Sequence, residues 1–501
     1  MKYQSKYNPL FILLILVLPG VFTGCKKYLD EDNRSNYTQE NFFQTADQAQ
    51  ASINNLYASL RTITDGTGTY GESPYMMLEF PTGIASTEVG QSQFNNTLRT
   101  LSANADNNYF YVWWANSYNA IANANLAIER IPGINMDEAQ KKRMLGEAAF
   151  FRAFYYFHLV RIYGDVPLLL KSVNASSPEL YPERSSQASV YDAIVADLLT
   201  AEAAGLPTAD VTGRLNVGAV KSLLASVYLT MAGYPLEKKE NYQKAADKAN
   251  EVINSGSYRL FATYPELRNK ANKNLGEFIF QNQYQVGINT TSVTQAFLPR
   301  SRKITKFSDE VGAVTPAPEF YNSYETGDLR TKEQQYYYSS YVSVLTGQPV
   351  NFGGQYIFKF FDNEAATTAQ SDLNWTFLRY PEVLLIYAEA SNEVGGPTPA
   401  AFNAVNLIRT RAQLPALTGL SQSAFREAIW REKYHELAYE NKVWFDMVRT
   451  RKVYNLANGG FNDFVGHAFP GGQVLTAKYL LFGIPTREIN NNKKLSQNPG
   501  W

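Results

Sequence analysis

Three histidines are the side chains of this sequence best suited to general acid–base or metal chemistry near neutral pH. His158, His435 and His467 lie far apart in the chain, and none has a second metal-ligand residue at helical spacing. The stretch "YHELAYE" contains His-Glu but lacks the second histidine of a zinc protease motif. The histidines therefore do not predict a metal centre.

Other catalytic patterns are absent or fail on their context. "GTGTYG" (66–71) has the letters of a dinucleotide-binding loop, but no apolar strand precedes it and Ser73-Pro74 follows in place of a helix. Neither a Walker loop nor a Gly-x-Ser-x-Gly turn occurs. The 46 acidic residues leave room for a carboxylate pair of a glycoside hydrolase, which sequence spacing alone does not exclude. We predict a protein without enzymatic activity, cofactor or bound metal.

The single cysteine, Cys25, follows a segment with the pattern of a secretory signal. Residues 1–24 begin with lysines, and their apolar run, Leu10–Leu18, is too short for a membrane-spanning helix of about 20 residues. Gly24-Cys25 resembles the lipobox of bacterial lipoprotein precursors, with Phe22 where leucine is more common. We expect removal of 1–24, lipidation of Cys25 and a polar tether over 25–41. The alternative is an ordinary signal peptide with an incidental cysteine.

Composition describes a globular chain without a polyelectrolyte partner. The 46 basic and 46 acidic residues balance, and loss of the two leader lysines leaves 44 against 46. We therefore predict no nucleic-acid partner. The hydrophobic fraction of 45% is sufficient for a large core. The 34 tyrosines, 29 phenylalanines and 6 tryptophans supply that core and leave rings available for ligand contacts.

Paired amphipathic helices are predicted over about 109–256 and 376–451. Apolar residues recur there at three- and four-residue spacing, and the pairs resemble tetratricopeptide hairpins. We expect one continuous long helix over 423–452. Its flanks carry charged residues that could pair and fix neighbouring helices, namely Arg431, Glu432, Glu436, Glu440, Asp446 and Arg449.

Two segments without helical periodicity, about 64–108 and 257–375, are predicted to be irregular. They are rich in Gly, Asn, Ser, Thr and Tyr, and the second contains β-like runs at "EFIFQNQYQV" and "QYIFKFF". The predicted fold is mainly α, with about four helical hairpins and a loop-rich region that carries short strands. Residues 42–501 are predicted to form a single domain, whose irregular segments face the ligand.

The irregular segments contain the mixture of rings, amides and arginines that suits a sugar ligand. Pyranose rings present C–H faces to aromatic rings, and their hydroxyls bond to amides and charged groups. The first segment offers Tyr70, Tyr75, Phe94, Asn95, Asn96 and Arg99. The second offers Gln281, Tyr284, Phe297 and Arg300. Loop packing or contact with a receptor protein is an alternative role for each of these residues.

Four long motifs resemble the SusD/RagB family of outer-membrane nutrient-binding lipoproteins. They are "FFRAFYYFHLVRIYGDVPLLL", "LRYPEVLLIYAEASN", "WREKYHELAYENKVWFDMVRTRK" and "FGIPTREINNNKKLSQNPGW", and "GCKKYLDED" is similar to the family's start. The likeness extends from Cys25 to Trp501. Asn441 and Val443 depart from it, because the family commonly has glycine and a basic residue there.

The resemblance implies a lipid-anchored protein at the cell surface that partners a SusC-like TonB-dependent outer-membrane transporter. Such proteins capture a glycan, an oligosaccharide or polysaccharide, and deliver it to the transporter without catalysis or cofactor. Two alternatives remain open. One is a peptide-binding member of the family, and the other is a structural lid whose transporter obtains its ligand specificity elsewhere.

Overall fold

The computed structural model describes residues 42–61, 77–88, 93–291, 293–307 and 310–501. Cys25, the predicted leader and the tether lie outside these residues. In the described chain, no helix combines the length and apolar character needed to cross a membrane. The helices are α1 (Ala46–Ser59), α2 (Gln93–Arg99), α3 (Asn108–Arg130), α4 (Glu138–Tyr163), α5 (Gln187–Glu202), α6 (Val217–Ala232), α7 (Asn241–Asn254), α8 (Val293–Ala296), α9 (Pro318–Asn322), α10 (Ala365–Thr368), α11 (Tyr380–Gly395), α12 (Pro399–Arg411), α13 (Gln422–Glu436), α14 (Val443–Thr450) and α15 (Thr486–Asn491).

The strands are short and pair in twos. They are β1 (Ala85–Ser86), β2 (Phe278–Asn282), β3 (Thr315–Pro316), β4 (Tyr337–Val342), β5 (Pro349–Ile357), β6 (Trp375–Arg379), β7 (Lys452–Tyr454) and β8 (Phe461–Asp463). The antiparallel pairs are β1–β3, β2–β6, β4–β5 and β7–β8. Two-stranded pairs of this size need support from a packed face, so the helices must hold them in place.

The long helices begin at side-chain caps that the sequence supplies. Thr45 forms a capping box with Gln48 ahead of α1, and Asp137 accepts from the Gln140 amide ahead of α4. Asn216 accepts from the Ala219 amide ahead of α6. Each cap satisfies an amide that the first helical turn leaves free. Most of α4 is buried, which makes it the central helix of the molecule.

The long helices form one row. In space α3 packs on α4, α4 on α5, α5 on α6, α6 on α7, and α7 on α11, which also contacts α12 and α13. We call this row the helical stack. Short loops join α3 to α4, α6 to α7 and α11 to α12, so these pairs are hairpins, whereas longer segments separate α4 from α5 and α5 from α6. The prediction of a mainly α fold with helical hairpins and only short strands is confirmed.

Segment 255–379, which we call the insert, leaves the helical stack after α7 and returns at α11. It contains α8 to α10 and five strands of the fold, and β2 and β6 pair where it leaves and returns. Phe280 in β2 packs edge-on against Phe150 of α4 at 5.3 Å, which attaches the insert to the central helix. The insert therefore shares the core of the helical stack.

The prediction of one continuous helix over 423–452 is wrong. The structure has two helices, α13 and α14, separated by residues 437–442. Tyr439 and Asn441 there adopt left-handed backbone conformations, with φ of 64° and 61°. Asparagine tolerates this conformation better than most residues, and glycine tolerates it best. The backbone at 441 thus accounts for the glycine that the family commonly has at this position.

Partners distant in the sequence hold this break. The ammonium of Lys359 in the insert donates to the carbonyls of Glu436 (2.9 Å) and Ala438 (3.1 Å). The Asn441 amide donates to Oε1 of Glu79 at 2.5 Å. These bonds replace the helical ones that the chain gives up between α13 and α14.

A second difference lies in the predicted irregular segment 64–108, where residues 93–99 form α2. Leu98 is fully buried and Phe94 is partly buried, with its ring 5.9 Å from that of Tyr109 at the start of α3. Asn107 caps α3 and also donates to the Phe94 carbonyl at 3.1 Å. This short helix is therefore held by its contacts with α3.

A buried network of ion pairs joins the insert to the helical stack. Arg379 donates to Glu277 (2.6 Å) and to Glu436 (2.7 Å), and Arg411 bonds to the same two carboxylates at 2.5 and 2.6 Å. All four side chains are almost completely buried. Further members of the network are Asp328, Arg330, Lys359, Glu432 and Glu440. The predicted pairing of charges on 423–452 thus occurs for Glu432, Glu436 and Glu440, at deeper burial than expected, and between Asp446 and Arg449. Arg431 instead donates to the Gly459 carbonyl at 2.9 Å.

Candidate ligand-binding site

A cleft of about 350 Å³ lies between the end of α1 and the turn that follows β2. Its lining residues are Tyr57, Ala58, Leu60, Arg61, Gln281, Asn282, Gln283, Ile288 and Asn289. We call it the amide cleft, because four of these nine side chains are primary amides. Its volume lies within the range of small-ligand sites in proteins.

The amides of the cleft are held by hydrogen bonds, most of them to side chains outside its lining. Gln283 Oε1 accepts from Asn274 (3.0 Å) and from Asn374 (2.8 Å), and its Nε2 donates to Asn274 Oδ1 at 2.8 Å. Gln281 Nε2 donates to the Thr376 hydroxyl at 2.8 Å. Asn289 Nδ2 donates to the Gln283 carbonyl at 3.0 Å. Such bonds fix the side chains in place before a ligand arrives, which lowers the entropy cost of binding.

An exposed turn forms one edge of the amide cleft. The Gln285 amide donates to the Asn289 carbonyl at 2.8 Å, and the Asn289 amide donates back at 2.9 Å, which closes the turn. Ile288 at its tip is 76% exposed and Val286 is 49% exposed. Apolar side chains exposed beside a polar cleft suit a ligand with both apolar and hydrogen-bonding faces.

The second group of predicted site residues divides into buried and exposed members. Gln281 lines the amide cleft, although its side chain is largely buried in the wall. Tyr284 lies beneath it, 3% exposed, with its hydroxyl accepting from Asn282 Nδ2 at 2.8 Å. Phe297 is also buried, and its ring stacks on Phe360 at 4.8 Å. Neither ring therefore offers an open face, because packing within the insert covers both.

Arg300 lies elsewhere on the insert and is exposed. Its backbone amide donates to Glu88 Oε2 at 2.6 Å. Its position is set by the backbone, since the Gly312 amide donates to the Leu298 carbonyl at 2.8 Å and the Glu88 amide donates to the Gly312 carbonyl at 3.0 Å. Arg300 does not line the amide cleft.

The first group of predicted residues is described only in part. Tyr70 and Tyr75 lie outside the described residues. Asn95 is buried, whereas Phe94, Asn96 and Arg99 are partly buried on α2. These four residues do not line the amide cleft. A ligand contact by any member of this group stays a prediction.

Sequence reasoning missed Gln283, Ile288 and Asn289. The signal was present in "QNQYQVGIN" (281–289), where amides alternate along a strand and reach a glycine turn. Alternating residues of a strand share one face, so Gln281 and Gln283 had to lie on the same side. Attention to aromatic rings favoured Tyr284, which the same alternation places on the opposite face.

Nothing in the described part of the chain resembles a metal site, since no three His, Cys, Asp or Glu side chains cluster there as ligands. His158 stacks on Trp113 at 5.3 Å, and burial holds its pKa well below the usual range. His435 is buried as well, and burial likewise lowers its pKa far below normal. Both imidazoles are neutral packing groups at physiological pH.

The fold is a helical-repeat scaffold with a loop-rich insert, and the amide cleft lies between that insert and α1. Two family models match the chain: the SusD family over residues 319–501, and a family described as starch-binding associating with outer membrane over residues 27–229. A SusD superfamily protein from Parabacteroides distasonis is 39% identical and superposes with a TM-score of 0.88, covering 93% of this chain and all of that structure. The chain therefore belongs to the SusD family.

Two further relatives are similar over most of their length. SusD-like protein P2 from Formosa agariphila is 28% identical over 99% of this chain and 100% of its own. Starch-binding protein SusD from Bacteroides thetaiotaomicron is 24% identical over 76% of each chain. The resemblance inferred from the four motifs is thus confirmed at the level of the family.

Proposed function

We propose that this protein binds a glycan in the amide cleft. The observation that carries the proposal is the set of hydrogen-bonded amides that line the cleft, Gln281, Gln283 and Asn289, beside exposed Ile288. An amide has donors and an acceptor, so it can bond to the paired hydroxyls of a sugar ring. The apolar rim matches the C–H face of that ring. The names of relatives described as starch-binding give independent support.

Substitutions at the rim test this site without disturbing the core. Ile288→Ala removes an exposed apolar contact, and we expect roughly tenfold weaker glycan binding in calorimetric titrations. Leu407→Ala is the matched control, because Leu407 is 52% exposed on α12 of the helical stack. Equal affinities for wild type and Ile288→Ala, with soluble β-glucan and starch oligosaccharides that bind the wild type, would contradict the assignment.

Gln283→Ala tests the polar wall. Because Gln283 bonds to Asn274 and Asn374, its loss frees both amides, and we expect glycan affinity to fall by more than tenfold. Gln243→Ala is its control, since the side chain of Gln243 is exposed on α7 and bonds to Asp247 at 2.8 Å.

Tyr70→Ala and Tyr75→Ala belong in the same series, as predicted ligand contacts. Tyr284→Ala does not, because Tyr284 is buried and its loss would affect folding.

A peptide is the second candidate ligand. Tyr57 is the one aromatic residue among the described residues that line the cleft, and its ring is covered by Arg214 at 4.9 Å and by Phe151 at 4.8 Å. Without an open ring, the amides could bond to a peptide backbone instead. Binding of a random peptide library with no glycan binding would favour this candidate. If the variants above bound glycan and peptide as wild type does, the result would favour a structural lid for the transporter.

Delivery of the bound glycan to a SusC-like TonB-dependent transporter is part of the proposal, as are lipidation at Cys25 and an outward-facing position at the outer membrane. The family description "associating with outer membrane" supports the location. Labelled palmitate should enter the wild-type protein but not Cys25→Ala in growing cells. Affinity purification from outer membranes should recover a β-barrel receptor. If no β-barrel receptor were recovered although glycan binding was intact, the function would be limited to glycan binding at the cell surface.

A further inference from the structure

A second cavity, of about 230 Å³, lies between the helical stack and the C-terminal segment. It is enclosed by the end of α4, the start of α5, the residues after α6, α14 and the C-terminal segment. Apolar walls are formed by Val160, Tyr191, Phe445, Val448, Leu480 and Leu481. We call it the cationic cavity, because its charged lining residues are all basic, namely Arg161, Arg449, Arg451 and Lys478.

Arg161 forms no ion pair with the described residues, although Glu382 and Asp446 oppose the effect of burial on its pKa. Its guanidinium lies between the rings of Phe157 and Phe445, 3.6 Å from each centroid. Its Nε donates to the Phe157 carbonyl at 2.9 Å, and no carboxylate of the described residues lies within ion-pair distance. Burial lowers its pKa to about 10, which still leaves it charged at neutral pH. Aromatic faces stabilise such a cation, but they do not neutralise it.

The neighbouring carboxylates are already neutralised by other cations. Glu389 bonds to Arg449 and Lys433, at 2.7 and 2.6 Å, and Asp446 bonds to Arg449 at 2.6 Å. Glu382 pairs with Lys442 at 2.7 Å. Three acids thus balance Lys433, Lys442 and Arg449. The charge of Arg161 remains in excess, and a charge left unpaired in an apolar site costs free energy.

Two more cations of the cavity lack carboxylate partners. Arg451 donates to the Val448 carbonyl at 2.7 Å and covers the ring of Tyr234 at 5.2 Å. Lys478 donates to the Ala103 carbonyl at 2.8 Å and lies over the ring of Trp501. Burial lowers the pKa of both groups, and for Arg451 it outweighs the opposing effects of Tyr234 and Glu237. Three unpaired cations therefore surround an apolar space.

We propose that the cationic cavity binds a compact organic carboxylate with an apolar body. The carboxylate would bond to the Arg161 guanidinium, whose fork of donors suits bidentate contact. The apolar body would lie against Phe445 and the leucines of the C-terminal segment. The cavity volume of about 230 Å³ suits an acid of the size of phenylacetate. A sugar is not the ligand, because the walls are mainly apolar.

Phenylacetate and its uncharged analogue phenylacetamide provide the test on the mature protein. We expect saturable phenylacetate binding at millimolar concentration or below, by calorimetry or ligand-observed NMR, and at least tenfold weaker binding of the amide. Arg451→Gln and Lys478→Gln should each weaken phenylacetate binding severalfold and leave glycan binding unchanged. These two variants avoid the fold dependence of Arg161→Gln, because both side chains are only partly buried.

Matched controls lie outside the cavity. Arg487→Gln removes an arginine that covers Tyr111 at 4.7 Å, as Arg451 covers Tyr234, and Lys493→Gln removes an exposed lysine of the C-terminal segment. Neither should change phenylacetate binding. Equal affinity for acid and amide, equal effects of the cavity and control variants, or no saturable binding of phenylacetate would each overturn the proposal.

Discussion

Glu79 is a carboxylate whose surroundings oppose its charge. It is 1% exposed, and burial raises its pKa to about 8, against the opposing effects of the Asn441 amide and the Lys359 ammonium. In the unfolded chain its pKa returns to about 4.3. A raised pKa contributes stability that is complete below the unfolded value and is lost as the pH rises through the folded value. The window for this effect is therefore about pH 4.5 to 8.

Glu79→Gln should remove that pH dependence. Relative to wild type, we expect a gain of about 2–4 kcal/mol in the free energy of unfolding between pH 5 and pH 8, since one pKa unit corresponds to about 1.4 kcal/mol. Urea denaturation of both proteins at several pH values measures this difference in the free energy of unfolding. Glu138→Gln is the control, because that side chain is exposed at the start of α4. Parallel pH profiles for wild type and Glu79→Gln would show that Glu79 is ionised throughout.

Glu436 represents the opposite case. Burial alone would raise its pKa, but the guanidiniums of Arg411, Arg379 and Arg330 outweigh burial and hold it well below the usual range. Such a carboxylate contributes stability above its unfolded pKa of about 4.3, and this contribution is lost as the pH falls further. The buried network is therefore a source of acid sensitivity.

Glu436→Gln should cost about 3–5 kcal/mol at pH 7, because it leaves three buried guanidiniums with one acceptor fewer. The difference from wild type should shrink below pH 4, where Glu436 of the unfolded wild-type chain becomes protonated while the folded carboxylate stays ionised. Thermal and urea unfolding at pH 7 and pH 3.5 measure the loss of stability and its decrease at low pH. A constant difference across that range would mean that the charge of Glu436 is not the stabilising feature.

The break between α13 and α14 depends on the backbone conformation at Asn441. Asn441→Gly should change stability by less than about 1 kcal/mol, whereas Asn441→Val should cost about 2 kcal/mol, since a β-branched residue resists φ of 61°. Urea unfolding of both variants compares them directly. Val394→Ala on α11, where Val394 is 51% exposed, indicates the scatter expected from a surface change. Equal stability of the two Asn441 variants would show that the chain there can rearrange.

Local sequence explains the helices but not their interruption. The hairpins were predictable because three- and four-residue periodicity and cap residues such as Asp137 are local signals. The period of 423–452 continues through the break, because its cause lies in Lys359 and Glu79, which are remote in sequence. Tertiary hydrogen bonds outweigh helix propensity there.

The candidate site was predictable to a similar degree. Gln281 was predicted because it lies where a β-like run leads into a loop rich in amides. The exposure of Ile288 and the burial of Tyr284 and Phe297 were not predictable, because composition does not tell which face of a strand meets the core. Rings of Phe360 and Trp375, 5.2 Å apart, extend the stack that covers Phe297, and they come from a later part of the insert.

For the molecule as a whole, the network across the insert and the helical stack predicts one cooperative unit. Glu277 lies in the insert, and it bonds to Arg379 at the end of the insert and to Arg411 at the end of α12 in the helical stack. Glu277→Gln should therefore lower the stability of both parts together by about 3 kcal/mol. Far-ultraviolet dichroism, which reports the helices, and hydrogen exchange of β4 and β5, which reports the insert, should give one transition. Separate transitions would contradict this coupling.

The contact of α7 with α11 has a consequence for biosynthesis. The ribosome makes α7 first and must then translate the whole of 255–379 before α11 emerges, which takes about ten seconds at bacterial or slower rates. During that interval α7 packs on α6 alone, and the part of its surface that will contact α11 has no partner. A nascent chain truncated before residue 380 is thus expected to be prone to aggregation and to need chaperones. The completed chain is expected to need neither protection nor assistance at this surface, because α11 covers it.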